Sequence, residues 1–515
     1  MSQITPYTIA VADELLDDLR ARLRNTRWPE RELVDDWSQG TPLAWARAPG
    51  AWLATSTRAV GVRRSTGRGA EFAGLIAEHF ERAGIPDRAA HHWSLAALAA
   101  SDRHADSAAL AHADRALALG NGGDPQRKFA LLRVRAVVWS RRGNVGEHKK
   151  AIEALEAQAE AQDDDVQRLI AAQTRMYRLC MDGAHEEAHL LGLRRLAAAE
   201  ALSPAEAART HNTLIMALGR QGRHEEARTH AEAALTLSRA VGDAYTEASA
   251  LNNLSVGHLT QRHLAQATAY GEQALAVYQR IGSRYGAAIA MLNLAFVAQC
   301  SGQLALSRDQ MLPLIQLSDA IDHQQIGAQA RCNLARVLAD LGDPQAALAH
   351  AQDGIRMAQK IGDSYIEATG HAAVAAASIG LGLWQRAIDH GRMAQAGLLA
   401  NGERSEALFN EASVACALHQ AGDSAAARVA VEAVLTTVAN RGGWQDDEAE
   451  AAIACTRLLT IYQDPRAAAT LAAAHGGLVV QAAALTDPVL RDQFLQATAL
   501  RREIQAAWNG RSQAL

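Results

Sequence analysis

The segment His185-Glu186-Glu187-Ala188-His189 has the form HExxH, which on a helix places two imidazoles one turn apart to bind zinc and leaves the glutamate as a base. The same letters return as His224, Glu225, Glu226 and Ala227, no third ligand is identifiable, and carboxylates at a helix start favour the positive end of its dipole. The pentad therefore reads as a repeated helix start, and no metal or cofactor site is assigned. His475-Gly476-Gly477 has the beginning of an oxyanion loop but no GxSxG nucleophile after it, so it reads as a helix break. Gly143 to Lys150, GNVGEHKK, has phosphate-loop glycines without a GKS or GKT ending and reads as a turn into a basic-faced helix. What remains is polar and periodic. Asn253, Asn293 and Asn333 stand forty residues apart, each just before Leu254, Leu294 and Leu334, with Thr213 in that place one period earlier. An asparagine offers donor and acceptor together, so such a row can pair with the backbone of an extended peptide whatever its side chains; the alternative is that it bonds adjacent repeats.

The period of forty governs the elements that position these groups. Glycines recur at Gly222, Gly302, Gly342, Gly382 and Gly422, with Arg262 at the missing slot, and again, offset by twenty, at Gly242, Gly282, Gly362, Gly402 and Gly442. Between them lie fixed apolar positions: Leu214, Leu254, Leu294, Leu334, Val374 and Val414 in one half-repeat, and Ala227, Ala267, Ala347, Ala387 and Ala427 in the other. Twenty residues accommodate a helix of about 15 residues and a turn, so the unit is two helices. Glycine supplies the left-handed end of each, alanine lets the pair approach closely, and no pair buries its apolar face unless neighbours stack on it.

Composition agrees. The chain has 515 residues, 49% of them hydrophobic but only 4% aromatic, a profile of helix formers that disfavours a large sheet. A net charge of −5 carries no global basic field, which argues against nucleic acid as partner. The cysteines Cys180, Cys300, Cys332, Cys416 and Cys455 are scattered without CxxC spacing, which fits a reducing compartment and no structural disulfide. Neither a secretory leader nor a stretch of the ~20 apolar residues that a membrane span needs is found, and a cytoplasmic location is expected.

The segment Ala250 to Gly282, with Leu254, Ala267 and Ala274 at fixed spacing, resembles the tetratricopeptide repeat in its forty-residue form, as in bacterial multidomain regulators. Less regular pairs continue upstream from Phe72 and downstream to LRDQFLQATALRREIQAAW, so the resemblance covers about 440 residues, a length that only stacked repeats explain. It implies a right-handed α-solenoid of about ten to eleven helix pairs whose asparagine positions face a concave groove. The candidate groove residues are Asn253, Asn293 and Asn333, with Asn212, Asn252, Met216, Phe296 and Arg336 beside them, the last offering a partner for a carboxylate.

Before residue 70 the composition shifts: four of nine tryptophans, Trp28, Trp37, Trp45 and Trp52, lie there. Leu16, Leu19, Arg22, Leu23, Thr26, Arg27, Trp28 and Pro29, followed by Trp37, Gly40 and Pro42, resemble the N-terminal segment of microsomal-type epoxide hydrolases. In that family the segment caps an α/β-hydrolase domain, but neither an HGxP motif nor a nucleophile elbow follows it here. Residues 46–69, with Arg47, Arg58, Arg63, Arg64 and Arg68 and no acid, read as a basic flexible linker.

The expectation is an all-α chain: an epoxide-hydrolase-like segment at 1–45, the linker at 46–69, and a helical repeat domain at 70–510. Its expected function is non-catalytic, a scaffold or sensor that binds a protein or peptide in the groove, within bacterial signalling or transcriptional regulation. The competing expectation is an epoxide-hydrolase-related protein, or an inactive fusion without the catalytic domain. The tryptophans of the first segment are too few for a core of their own and are expected to dock on the solenoid.

Overall fold

The computed structural model describes residues 72–103, 105–119, 124–142 and 144–512, and these are helical throughout, with no strand among them. The epoxide-hydrolase-like segment, the basic linker, Gly143 and the docking of the N-terminal tryptophans lie outside the described residues. The helices are α1 (Ala73–Arg82), α2 (Pro86–Asp102), α3 (Asp106–Leu119), α4 (Pro125–Arg141), α5 (Val145–Gln162), α6 (Asp165–Met181), α7 (His185–Leu202) and α8 (Pro204–Arg220). There follow α9 (His224–Val241), α10 (Ala244–Thr260), α11 (Leu264–Arg280), α12 (Arg284–Cys300), α13 (Leu304–Ala320), α14 (Gln324–Asp340), α15 (Pro344–Ile361) and α16 (Ser364–Gly380). The last are α17 (Trp384–Ala400), α18 (Arg404–Gln420), α19 (Ser424–Asn440), α20 (Ala449–Ile461), α21 (Ala467–Ala483), α22 (Pro488–Gln496) and α23 (Ala499–Ser512). From α2 onward the even-numbered helix is the A helix and the odd-numbered one the B helix of an antiparallel pair, with α1 ahead of them.

Each helix of the regular region has 17 or 18 residues, longer than the half-period suggested, because the turns are so short. The brevity has a backbone cause: Gly222, Gly242, Gly282, Gly302 and the periodic glycines after them through Gly442 have φ between 71° and 94° and reverse the chain at once. At the two slots where the series lacks glycine, Arg262 (φ 62°) and Asp322 (φ 52°) take the same left-handed conformation against their preference. A-helix starts are capped by side chains in the same period: Ser203, Asp243, Ser283, His323 and Asp363 each accept from the backbone N–H three residues on.

Packing follows the periodic residues. Ala267, Ala347, Ala387 and Ala427 are buried between the two helices of their own pairs, and Leu214, Leu254, Leu334 and Val374 are buried against neighbouring pairs. Small residues are obligatory at several crossings: a Cβ on Gly391 would meet Val414 at 2.4 Å, and one on Gly354 would meet the Cys332 sulfur at 2.5 Å.

The array also closes on itself between successive superhelical turns. Phe494 and Ile504 of α22 and α23 are buried in one cluster with Leu264, Ile453 and Leu478, and Leu259 and Cys300 pack on its edge. Near the other end, Asp106 lies close enough to Asp322 for the two carboxylates to interact, and Arg141 close enough to act on His323. Arg262, which shares a groove with Asp446 and Gln481, and Asp322, near Asp106, thus both take glycine's conformation where one turn of the superhelix faces the next.

One sequence reading is corrected. His475-Gly476-Gly477 does not break a helix; α21 runs through all three. The surrounding alanines and the buried Leu471, Ala474 and Leu478 outweigh two glycines at roughly 1 kcal/mol each. Gly477 is needed for another reason: a Cβ there would sit 2.8 Å from the Asp446 carbonyl oxygen.

Candidate functional site: the concave face

The A helices turn one row of side chains toward the inside of the curve. Residues that are repeats apart influence one another along the A helices and where successive turns of the superhelix meet. Tyr285 at the start of α12 senses Tyr245 of α10, Tyr177 of α6 and Arg141 of α4, and burial pushes all three phenols above their ordinary range. They therefore stand as neutral hydroxyls beside aromatic faces. Tyr285 stacks on His323 with centroids 5.0 Å apart, and Tyr245 meets Tyr278 edge to face at 5.8 Å. Burial and then Arg141 press His323 down to about 4, so it is neutral at pH 7 and free to cap α14 through Nδ1. Tyr245 keeps 49% of its surface accessible.

The asparagines of the candidate set meet one another. Asn253 Nδ2 donates to Asn212 Oδ1 at 2.9 Å, Asn212 Nδ2 to Ser249 Oγ at 2.9 Å, and Asn293 Nδ2 to Asn252 Oδ1 at 2.9 Å. Each bond joins one A helix to the next and uses one of the two amide protons that its donor carries. Asn333 is not brought into this chain; it accepts from Gln329 Nε2 of its own helix at 2.8 Å. The row bridges successive A helices.

Met216 is half-buried against Cys180, Ala188 and Ala217, whereas Phe296 at the equivalent position two repeats on is 40% exposed. Arg336, at that register again, lies 3.9 Å from Asp340 and over the Phe409 ring, 5.2 Å from its centroid. Arg501 of α23 holds Glu450 at 3.1 Å, and both act on Asp340. Burial, with Glu450 adding to it, pushes the Asp340 carboxyl up to about 6 although Arg336 pulls the other way. The result is a cluster of two arginines, two carboxylates and an aromatic ring.

The tyrosines were absent from the sequence-derived set although Tyr245, Tyr285 and Tyr365 recur at multiples of forty. Arg501 left no periodic signal, because it comes from the irregular C-terminal pair. His185 and His224 begin α7 and α9 at equivalent points. His189 is buried, with its Nδ1 2.9 Å from Arg223 Nη1, a donor seated where zinc would need the lone pair. Among the described residues no group of three His, Cys, Asp or Glu side chains is arranged to hold a metal, and no helix is long and apolar enough to cross a membrane.

Residues 206–280 match a family model described as tetratricopeptide repeat, residues 328–361 match a second of that description, and residues 4–54 match the epoxide hydrolase N terminus. A "Putative epoxide hydrolase" of Stigmatella aurantiaca (strain DW4/3-1) is 66% identical over 41 residues, 8% of this chain and 9% of that protein, so the chain matches less than a tenth of its curated relative. Among solved structures, a Rap protein complexed with competence and sporulation factor is similar at 12% identity, over 75% of this chain and 99% of its own, with a TM-score of 0.47. The apo quorum sensor NprR from B. thuringiensis is similar at 14% identity over 70% and 99%, with a TM-score of 0.43. A Pyrococcus horikoshii signal-transduction ATPase with a tetratricopeptide repeat sensor is similar at 11% identity over 84% and 66%, with a TM-score of 0.48.

Proposed function

We propose that the solenoid is a non-catalytic interaction scaffold or sensor module, cytoplasmic, that binds a peptide or partner protein on its concave face within a bacterial signalling or regulatory system. The observation that supports this reading is the state of the inner wall. Tyr245, Phe296 and Tyr365 of the A helices stay exposed, interleaved with amides and with the Arg336–Asp340 pair. A wall built only to hold repeats together would cover such groups; one built to receive a ligand presents aromatic area beside satisfied polar anchors.

Affinity capture from source-cell lysate tests it, comparing the intact chain with a Tyr245→Ala, Phe296→Ala variant and with an Asn253→Ala, Asn293→Ala, Asn333→Ala variant, each shown by circular dichroism to be folded. A partner held by the intact chain and lost by the substituted ones supports groove binding. Equal retention moves binding to another face.

A second reading, an epoxide-hydrolase-related protein, is favoured by one observation, the match of residues 4–54 to that family's N terminus. Hydrolysis of styrene oxide above a boiled control would favour it over the scaffold.

A further inference from the structure

His211 on α8 and His230 on α9 meet Nδ1 to Nδ1 at 2.7 Å; four repeats on, at the same register, His371 on α16 and His390 on α17 meet at 2.8 Å. Such a contact holds one proton, because one ring donates its N–H and the other must accept with a lone pair. A second proton would set two like-charged N–H groups against each other across the interface between the A and B helices of one repeat.

The surroundings of the two pairs differ. Facing the first are His189 and Glu200 of α7, Arg223 and Glu226 at the start of α9, and Tyr270 of α11. Arg223 donates to His189 Nδ1 at 2.9 Å and holds Glu226 at 2.6 Å, so the carboxylate that acts on His230 is already bound by a guanidinium, while Glu200 acts on His211. Facing the second pair are Glu367 of α16 and Arg386 and Asp389 of α17; Arg331 and His350 hold the same register in the preceding repeat and Glu411 in the following one. There Glu367 Oε1 lies 3.8 Å from His371 Nε2, on the far side of the ring from His390. An added proton finds a carboxylate 3.8 Å from His371 at the second pair, whereas at the first Glu226 is engaged by Arg223 and Glu200 acts on His211 without lying in ion-pair contact with it.

We propose that the His211–His230 pair is a proton-operated latch between α8 and α9, which opens on mild acidification while the His371–His390 pair stays closed. The latch stands on the geometry of the pair; its effect on ligand rests on the concave-face reading. Asn212 follows His211 directly and forms the first rung of the amide row with Ser249 and Asn253, so movement of α8 breaks the row at its start. Burial, and then the neighbouring imidazoles His211 and His189, hold His230 down to about 4; burial lowers His371 and His390 as well, but there Glu367 raises His371 against it. A histidine that binds protons less tightly folded than unfolded withdraws stability as pH falls below the ordinary value of about 6.5.

Hydrogen exchange of the full chain, read by mass spectrometry at neutral pH and at about pH 5 with intrinsic rates corrected, tests this. The amides of α8 and α9 should lose roughly tenfold in protection while those of α16 and α17 keep theirs. His230→Gln should abolish that loss. Should this variant not fold, Glu367→Gln, which removes the counter-charge and leaves both pairs in place, should make α16 and α17 open alongside α8 and α9. Unchanged protection at α8 and α9, or equal loss across every helix in the intact chain, would overturn the latch.

Discussion

A Cβ on Gly302 would lie 2.7 Å from the Cα of Phe494. The turn between α12 and α13 and the helix α22, far apart in the chain, therefore meet backbone to backbone, and it is here that one superhelical turn is fastened to the next. Gly302 meets two independent demands, a φ of 79° and the absence of any side chain.

That double demand separates Gly302 from its periodic equivalents. Gly342 has a φ of 85° but nothing within 4 Å of a Cβ. Gly342→Ala should cost about 1 kcal/mol for the backbone conformation alone, and Gly302→Ala about 1–3 kcal/mol more for overpacking. Urea unfolding of the two variants, with hydrogen exchange at α22, measures the difference; equal losses would mean that Phe494 does not rest on that turn.

Gly286 makes room for a ring rather than for backbone. A Cβ there would come within 2.2 Å of Tyr278 Cδ1. Gly286→Ala should destabilise by about 1–3 kcal/mol in the intact chain, yet in a Tyr278→Leu background the helix preference of alanine, about 0.5–1 kcal/mol, should dominate and reverse the sign. Thermal midpoints of the four proteins of this cycle decide it.

The amide row predicts coupling between specific residues. Asn212 and Asn253 should show a coupling energy of about 0.5–1.5 kcal/mol in a double-mutant cycle, because each donor and acceptor is matched across two A helices. Asn333, bonded within its own helix, should show none with Asn293. Additivity at the first pair would remove the row as a bridge between repeats.

Asp340 sets a pH dependence of definite sign. Its carboxyl is held up at about 6 by burial and by Glu450, above the ordinary carboxylate value of 3.8, so the folded chain binds this proton more tightly than the unfolded chain. The stabilisation is complete below that ordinary value and fades as pH rises through about 6. Asp340→Asn cannot titrate and should flatten the stability profile across this window while Arg336 keeps its place over Phe409. Profiles of variant and intact chain that run parallel between those limits would contradict the assignment.

Much of the fold is legible before any coordinates. A period of forty in Leu214 to Val414 and Ala227 to Ala427, punctuated by glycine, determines helix pairs, their turns and their mutual packing, because each of these depends on residues within one repeat or the next. The role of the asparagines was legible in part: their register was plain, but whether an amide faces a ligand or a neighbouring amide depends on the offset of successive A helices, which places Asn253 on Asn212 and leaves Asn333 to Gln329.

What tertiary structure alone decided is everything set by the pitch of the superhelix. Pitch is the sum of small rotations at each interface, and no local pattern records a sum. It brings Phe494 to Gly302, Arg501 and Glu450 toward Asp340, and Arg141 toward Tyr285 and His323. It also places the two gaps in the glycine series where one turn faces the next. Arg262 and Asp322 take a glycine's backbone there, where Asp322 lies close enough to Asp106 for the two carboxylates to interact.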